Sequence, residues 1–327
     1  MAGAVLRKNI YVIACVAVVA LSVASLFVGV ANISLIDFLD GRVSQTDWLV
    51  LQTSRIPRTL ALVFAGTSMA VAGAIMQMLA RNKFVEPATT GTVEAAALGM
   101  LVVLLFAPDL PIVGKMLVAG VFALAGTGLF LWLLTKIPLR SVVIVPLIGM
   151  MLGGVISSFA AFIAYRFDMM QAMNVWTSGD FSTVLRGRYE VLWLAFGLAI
   201  IAYRGADKLT MAGLGQEFSV SLGLDYRKVM TFGLVIISLV TASVVVSAGM
   251  IPFVGLIVPN LVSLAFGDNL KKTLPWIALL GAAIVLVCDI IGRLIIAPFE
   301  VPVGAVLGVI GSLFFLYLVL GRNAYAR

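Results

Sequence analysis

From Thr59 to Ala80 the chain runs for 22 residues without a charge. About 20 apolar residues suffice for a helix to cross the hydrocarbon core of a bilayer. Arg55-Ile56-Pro57-Arg58 stands before this run, and a polar turn from Arg81-Asn82-Lys83 to Pro87 follows it. The stretch therefore reads as a charged mouth, a crossing helix and a charged turn on the far side. Small residues at Gly66, Ser68, Ala70, Ala72, Gly73 and Ala74 would let neighbouring backbones come close, which is how helices associate in lipid. Ordinary bundle packing explains each of them singly.

The same alternation continues along the chain. Of its 327 residues 62% are hydrophobic and 11% charged, whereas a soluble domain is about a quarter charged. The sequence predicts an all-α polytopic membrane protein, one permease-like domain over residues 1–327. Ten spans are read, at about 9–31, 59–80, 93–107, 116–134, 142–164, 191–203, 229–249, 252–266, 275–296 and 303–320. The eighth carries Pro259 and reads as broken there. A cleaved leader is the alternative for the first, but its apolar region would normally be only about 7–15 residues.

The segments assigned inside hold 14 of the 22 basic residues, among them Arg7, Lys8, Arg81, Lys83, Arg140, Lys271, Lys272, Arg322 and Arg327. Positive charge resists translocation, so both termini are expected in the cytoplasm. This bias also accounts for the net charge of +7. No basic patch interleaved with aromatics points to nucleic acid. Outer segments carry Asp37, Asp40, Arg42 and Asp47, and later Trp176, which with Trp193 suits an interfacial aromatic belt. Cys15 and Cys288 both sit in apolar runs and read as small hydrophobes. Without histidine, His-ligated metal sites and His-based catalysis are excluded.

Few residues offer chemistry. No phosphate-binding loop is present: Gly114-Lys115 is followed by Met116. If ATP is used, another chain binds it. Asp289 and Arg293 are four apart, so they share a helix face and can pair. That pair is either structural, with Arg293 snorkelling outward, or part of an outer cationic rim with Arg55 and Arg58. Arginine's planar fork suits carboxylates of a protein partner. The plain alternative is a set of solvated interfacial arginines.

On the inner side, residues 204–228 form the longest polar segment. Within it Phe218, Leu222 and Asp225 fall at helical spacing and Gly223 can close a short helix. Such a helix can dock in a groove of a soluble partner or rest on headgroups. Pathway candidates are Met150, Met151, Ser157 and Ser158, beside Gly149-x-x-x-Gly153, with Asn260 on the eighth span and Gly304-x-x-x-Gly308 on the tenth. Packing alone is their bland reading. Glu94 and Asp289 are too few for an ion relay, which normally shows a series of buried acids.

In order along the chain stand R-I-P-R at Arg55 to Arg58, A-G-x-x-x-A-x-A-G-A-x-M-Q at Ala65 to Gln77, and N-K-F-V-E-P-x-x-x-G at Asn82 to Gly91. They are followed by G-L-G at Gly213, S-L-G-L at Ser221, I-P-F-V-G-L-I-V-P at Ile251, D-I-I-G-R at Asp289 and V-P-V-G at Val301. This series resembles the FecCD family, permeases of ABC importers for iron–siderophores, haem and vitamin B12. The resemblance implies a type II importer permease fold paired with a second permease. Two ATPase subunits that carry ATP and Mg would sit inside, and a periplasmic or lipid-anchored substrate-binding protein would dock outside.

It further implies that Arg55, Arg58 and Arg293 receive acids of the binding protein. Leu214, Gly215, Gln216, Glu217, Phe218, Ser221, Leu222, Gly223 and Leu224 would contact the ATPase. The expected cargo is a ferric siderophore that carries its own iron, so this chain needs no cofactor. The bacterial cytoplasmic membrane is the expected location. Pro259-Asn260-Leu261-Val262-Ser263 departs from the family's P-H-x-x-R, so no role passes to those positions. Asn82-Lys83-Phe84 in place of Asn-Pro-Leu looks like the catecholate-siderophore subgroup, whose permeases pair as heterodimers. An ion-coupled carrier acting alone, motivated by Asp289, and a membrane scaffold without a conduit are the competing readings.

Overall fold

The computed structural model describes residues 2–29, 44–137 and 144–325. Asp37, Asp40, Arg42, Arg140 and Arg327 lie outside the described residues. Among those described there is no strand. Helix α1 spans Ala2–Phe27. Helix α2, Gln45–Val50, starts on the Ser44 hydroxyl, which accepts the Asp47 N–H at 3.1 Å. A wide turn over Leu51–Arg55 joins it to α3, Ile56–Leu79. Then come α4, Thr92–Phe106, α5, Ile112–Lys136, α6, Ile144–Arg166, and the short α7, Met170–Ser178. Helices α8, Val191–Ala212, the six-residue α9, Gln216–Ser221, and α10, Tyr226–Ala248, follow. The last three are α11, Val254–Phe266, α12, Leu270–Ile295, and α13, Val303–Tyr325.

Among the described residues, six helical stretches are long and apolar enough to cross a membrane: Ile10–Phe27, Gln45–Leu79, Ile112–Lys136, Ile144–Arg166, Tyr226–Ala248 and Leu270–Ile295. Thr92–Phe106, Val254–Phe266 and Val303–Leu316 are apolar but shorter. The helix read as a short sixth span extends to Ala212, carrying Arg204, Asp207 and Lys208 in its last third.

Helix α3 is the axis of the bundle. From Ala61 to Gln77 all but Val63 are buried, because α3 is surrounded by α8, α10, α11 and α12. Two contacts set how close its neighbours come. A Cβ on Gly66 would stand 2.6 Å from the Gly281 carbonyl oxygen of α12, and a Cβ on Gly73 2.1 Å from that of Gly255 in α11. Any side chain there would push the backbones apart and forfeit dispersion contacts along both seams.

Two expectations are corrected. Helix α11 is not broken at Pro259; it stays helical through it. The proline has no N–H to offer the carbonyl of Gly255, four residues back. Gln77 Nε2 of α3 donates to that oxygen instead, at 3.3 Å. The chain is irregular just before α11, at 249–253. Trp176, assigned to an aromatic belt, is buried at 6% exposure, because α7 turns it into a core with Met100, Met116 and Val245. Trp193 is half exposed and its ring centroid lies 4.4 Å from that of Phe64.

Candidate functional site

The charged residues singled out from the sequence gather at two opposite ends of α3. At about 1.5 Å per residue, its 24 residues set those ends roughly 36 Å apart.

At the N-terminal end, Asp289 of α12 is 1% exposed and lies between two guanidinium groups. Arg58 donates to its Oδ1 through Nε at 3.1 Å and Nη2 at 2.7 Å. Arg293 Nη2 donates to its Oδ2. The third donor of Arg58, Nη1, reaches Glu300 Oε2 at 2.7 Å, just beyond α12. Arg293 also turns to α1, donating through Nη1 to the carbonyls of Ser25 at 2.9 Å and Val28 at 2.6 Å, and through Nη2 to Ser25 Oγ at 2.6 Å. Arg55 Nη1 donates to the Leu26 carbonyl at 2.6 Å.

The last carbonyls of a helix lack partners within it and carry its negative dipole end. Two arginines supply both hydrogen bonds and positive charge to the end of α1. Arg293 is 6% exposed and Arg55 7%, so neither snorkels outward. Arg58 has a side chain 12% exposed and Glu300 one 27% exposed; these form the reachable edge of the network. Of the three arginines read as a rim, Arg58 and Arg293 meet around one aspartate, Arg55 closes the end of α1 beside them, and together they tie α1, α3 and α12.

At the other end, Gly213 packs against Met78 and Gly215 against Arg81, both at the end of α3. Gly215, at φ +113°, opens α9, and Gly223, at φ +76°, follows its close. Ser219 is fully buried, and its hydroxyl donates to the carbonyls of Met211 at 3.0 Å and Gly215 at 2.6 Å, which fastens α9 to α8. Leu214, Phe218, Val220 and Leu222 are each half exposed or more. Gln216, Glu217, Ser221 and Gly223 are exposed beside them, and Leu224 is half-buried. Asp225, assigned by spacing to the same short helix, lies beyond it. Its carboxylate caps α10, accepting the Lys228 N–H at 3.1 Å, and the Lys228 side chain and N–H hold it below the ordinary carboxylate range.

A cleft of about 240 Å³ lies between this end of α3 and α12, lined by Gln77, Arg81, Lys83, Thr210, Ser263 and Asp268. Ligand pockets usually run from about 300 Å³ upward, so this cleft is small for a chelate. Asn260, proposed for a pathway, is buried, and its Nδ2 donates to the carbonyls of Lys83 and Leu256, both at 2.7 Å. Met150, Met151 and Ser158 are exposed on α6, and Ser157 is half-buried there.

Glu86 carries no role that its sequence motif alone assigns. Its carboxyl sits at the start of α11, is 1% exposed, and accepts the Phe253 N–H at 2.7 Å. The signal for it was an acid inside a turn between two apolar spans.

A bundle of apolar helices around one buried helix, with an ion network at one end and an exposed apolar foot at the other, defines a multi-pass membrane protein. A solved structure described as an inward-facing conformation of a metal-chelate type ABC transporter superposes with a TM-score of 0.80 at 23% identity. The match covers 96% of this chain and 99% of that one and shows the shared fold. Residues 16–321 match the model of the FecCD transport family, and the chain belongs to that family.

It is 50% identical to the petrobactin import system permease protein YclN of Bacillus subtilis over 307 residues, 94% of this chain and 96% of that protein. It is 41% identical to the petrobactin import system permease protein FatD of Bacillus anthracis, covering 97% and 92%. It is 40% identical to the ferric-anguibactin transport system permease protein FatD of Vibrio anguillarum, covering 85% and 88%. As a FecCD permease it is a multi-pass protein of the inner membrane.

Proposed function

We propose that this chain is the permease subunit of an ATP-driven importer that moves a ferric catecholate-type siderophore from periplasm to cytoplasm. One observation carries this reading: relatives at 40–50% identity over most of the chain are permeases for petrobactin or anguibactin. The iron travels as cargo inside its own chelator.

The exposed foot at Leu214, Phe218, Val220 and Leu222 is the contact for an ATPase subunit. Four apolar side chains on a segment fastened from behind by Ser219 suit a groove in a soluble partner. The conduit forms between two permeases, at the face of α6 and α13. Met150, Met151, Phe159, Val309 and Leu313 are exposed there, and a Cβ on Gly154 or Gly308 would meet nothing within 4 Å. Small residues on an open face suit the close approach of another helix. A different, homologous permease is the favoured partner, following the Asn82-Lys83-Phe84 variant. The edge formed by Arg58 and Glu300 is where a binding protein's acids would exchange with the chain's own.

The test is uptake of a ferric catecholate siderophore by vesicles holding this permease, its partner permease, the ATPase and the binding protein. Accumulation should need ATP hydrolysis, and Glu217 and Gly223 substitutions should uncouple it. Uptake driven by a proton or sodium gradient without the ATPase would replace this reading with an ion-coupled carrier.

A further inference from the structure

The break at 249–253 is held in place from outside α11. Phe253 takes φ +66°, a left-handed conformation that a bulky residue adopts only under constraint. Its ring lies so close to α13 that a Cβ on Gly311 would stand 2.3 Å from its Cγ. Its N–H is taken by Glu86 Oε1, from the turn at 80–91. The other carboxyl oxygen, Oε2, is buried, with no hydrogen-bond partner among the described residues.

The same turn makes two further contacts. Asn260 Nδ2 of α11 donates to the Lys83 carbonyl, and the Phe84 ring meets Phe315 of α13 edge-on at 5.9 Å. Thr89 stiffens it, its hydroxyl accepting the Glu86 N–H at 3.1 Å. One buried carboxyl therefore stands where a rigid turn, a strained residue and the start of a short helix meet.

We propose that Glu86 is the latch that holds the broken segment 249–253 and α11 against the turn at 80–91, so that they move as one unit with α3. What the latch serves rests on the transport reading above; the latch itself rests on the contacts just described. Glu86→Ala leaves the Phe253 N–H buried without an acceptor and releases the strain. Glu86→Gln keeps an acceptor oxygen at the same reach and is neutral at every pH.

The ionisation of Glu86 gives a second readout. Burial pushes its carboxyl up to about 8, outweighing the Phe253 N–H and, more weakly, the other N–H groups at the start of α11, which pull it down. No charged side chain enters that balance; Lys83, three residues earlier, turns to Asp268 at 2.8 Å. A closed-state value above the ordinary 4.5 means that the latched form is fully favoured below that value. It is lost progressively as pH rises toward about 8, by up to about tenfold in the closed-to-open ratio per pH unit.

Hydrogen exchange on the full-length chain in detergent micelles tests this without any partner. In Glu86→Ala, amides 250–256 should lose protection at least about tenfold while those of α3 keep theirs. In the wild type, protection at 250–256, corrected for the intrinsic pH dependence of exchange, should fall between pH 5 and pH 8. In Glu86→Gln it should stay level. Wild-type protection in Glu86→Ala, or the same pH curve in Glu86→Gln as in the wild type, overturns the latch. If Glu86→Ala does not fold, the comparison of wild type with Glu86→Gln decides alone. In the assembled importer Glu86→Ala should lower the maximal uptake rate about tenfold with binding-protein affinity unchanged, and unchanged uptake removes its role in transport. Loss of siderophore uptake in the wild type itself, with the exchange pattern intact, sinks the substrate reading and leaves the latch standing.

Discussion

The two ends of α3 use charge in opposite ways. At the Arg58 end, charged groups are buried and the chain satisfies them itself: Asp289 faces two arginines, and two arginines close the end of α1. At the α9 end, charged and apolar side chains alike stand exposed on α9, while the Ser219 hydroxyl is drawn inward to fasten it. An ion network that ties three helices belongs to the stability of the bundle. An exposed apolar segment fastened from behind belongs to a partner. Position in the sequence does not separate these roles, since both lie at ends of apolar runs; burial does.

The largest effect expected is from Asp289→Ala. Removing one partner of a buried pair leaves two guanidinium groups without their shared anion, and such losses cost about 3–5 kcal/mol. Thermal unfolding in detergent should show it, and a change below about 1 kcal/mol would erase the contrast between the two ends. The double change Phe218→Ala and Leu222→Ala should do the reverse. Stability should stay within about 0.5 kcal/mol, as for surface substitutions, while co-purification of the ATPase falls at least about tenfold. A foot that unfolds the chain when trimmed would be a structural element.

Glu300→Gln separates charge from burial at the first end. Its side chain is partly exposed, so the Arg58 contact should contribute only up to about 1 kcal/mol, and less at high salt. A loss matching that of Asp289→Ala would mean that the reachable edge is as essential as the interior. A change confined to stability is Asn269→Ala, which removes the cap of α12, where Asn269 Oδ1 accepts the Lys272 N–H at 3.2 Å. Caps of this kind are worth about 1 kcal/mol, read as a shift in melting temperature with transport unaltered.

Much of this was legible in the chain itself. Apolar runs give helices because a bilayer leaves backbone groups no other partners, and the i, i+4 spacing of Asp289 and Arg293 fixes their common face whatever packs on it. Gly215 and Gly223 bracket α9 because left-handed turns favour glycine. What the runs could not reveal is where a helix is interrupted. Pro259 looks like the breaking point, but Gln77, from another helix, takes the carbonyl it frees, and the break moves upstream to 249–253. Trp176 looks like a belt residue until α7 folds it inward.

The sequence alone determined the membrane class, the succession of apolar runs and the ends at which charge collects, because these follow from local composition and period. The tertiary structure alone decided which charges are spent internally, that Asn260 and Glu86 bind backbone and not solvent, and that Phe253 is strained. Those outcomes depend on groups up to 268 positions apart in the chain, as for Arg293 and Ser25, meeting within hydrogen-bond reach. Only the packing of α3 against its neighbours brings them there.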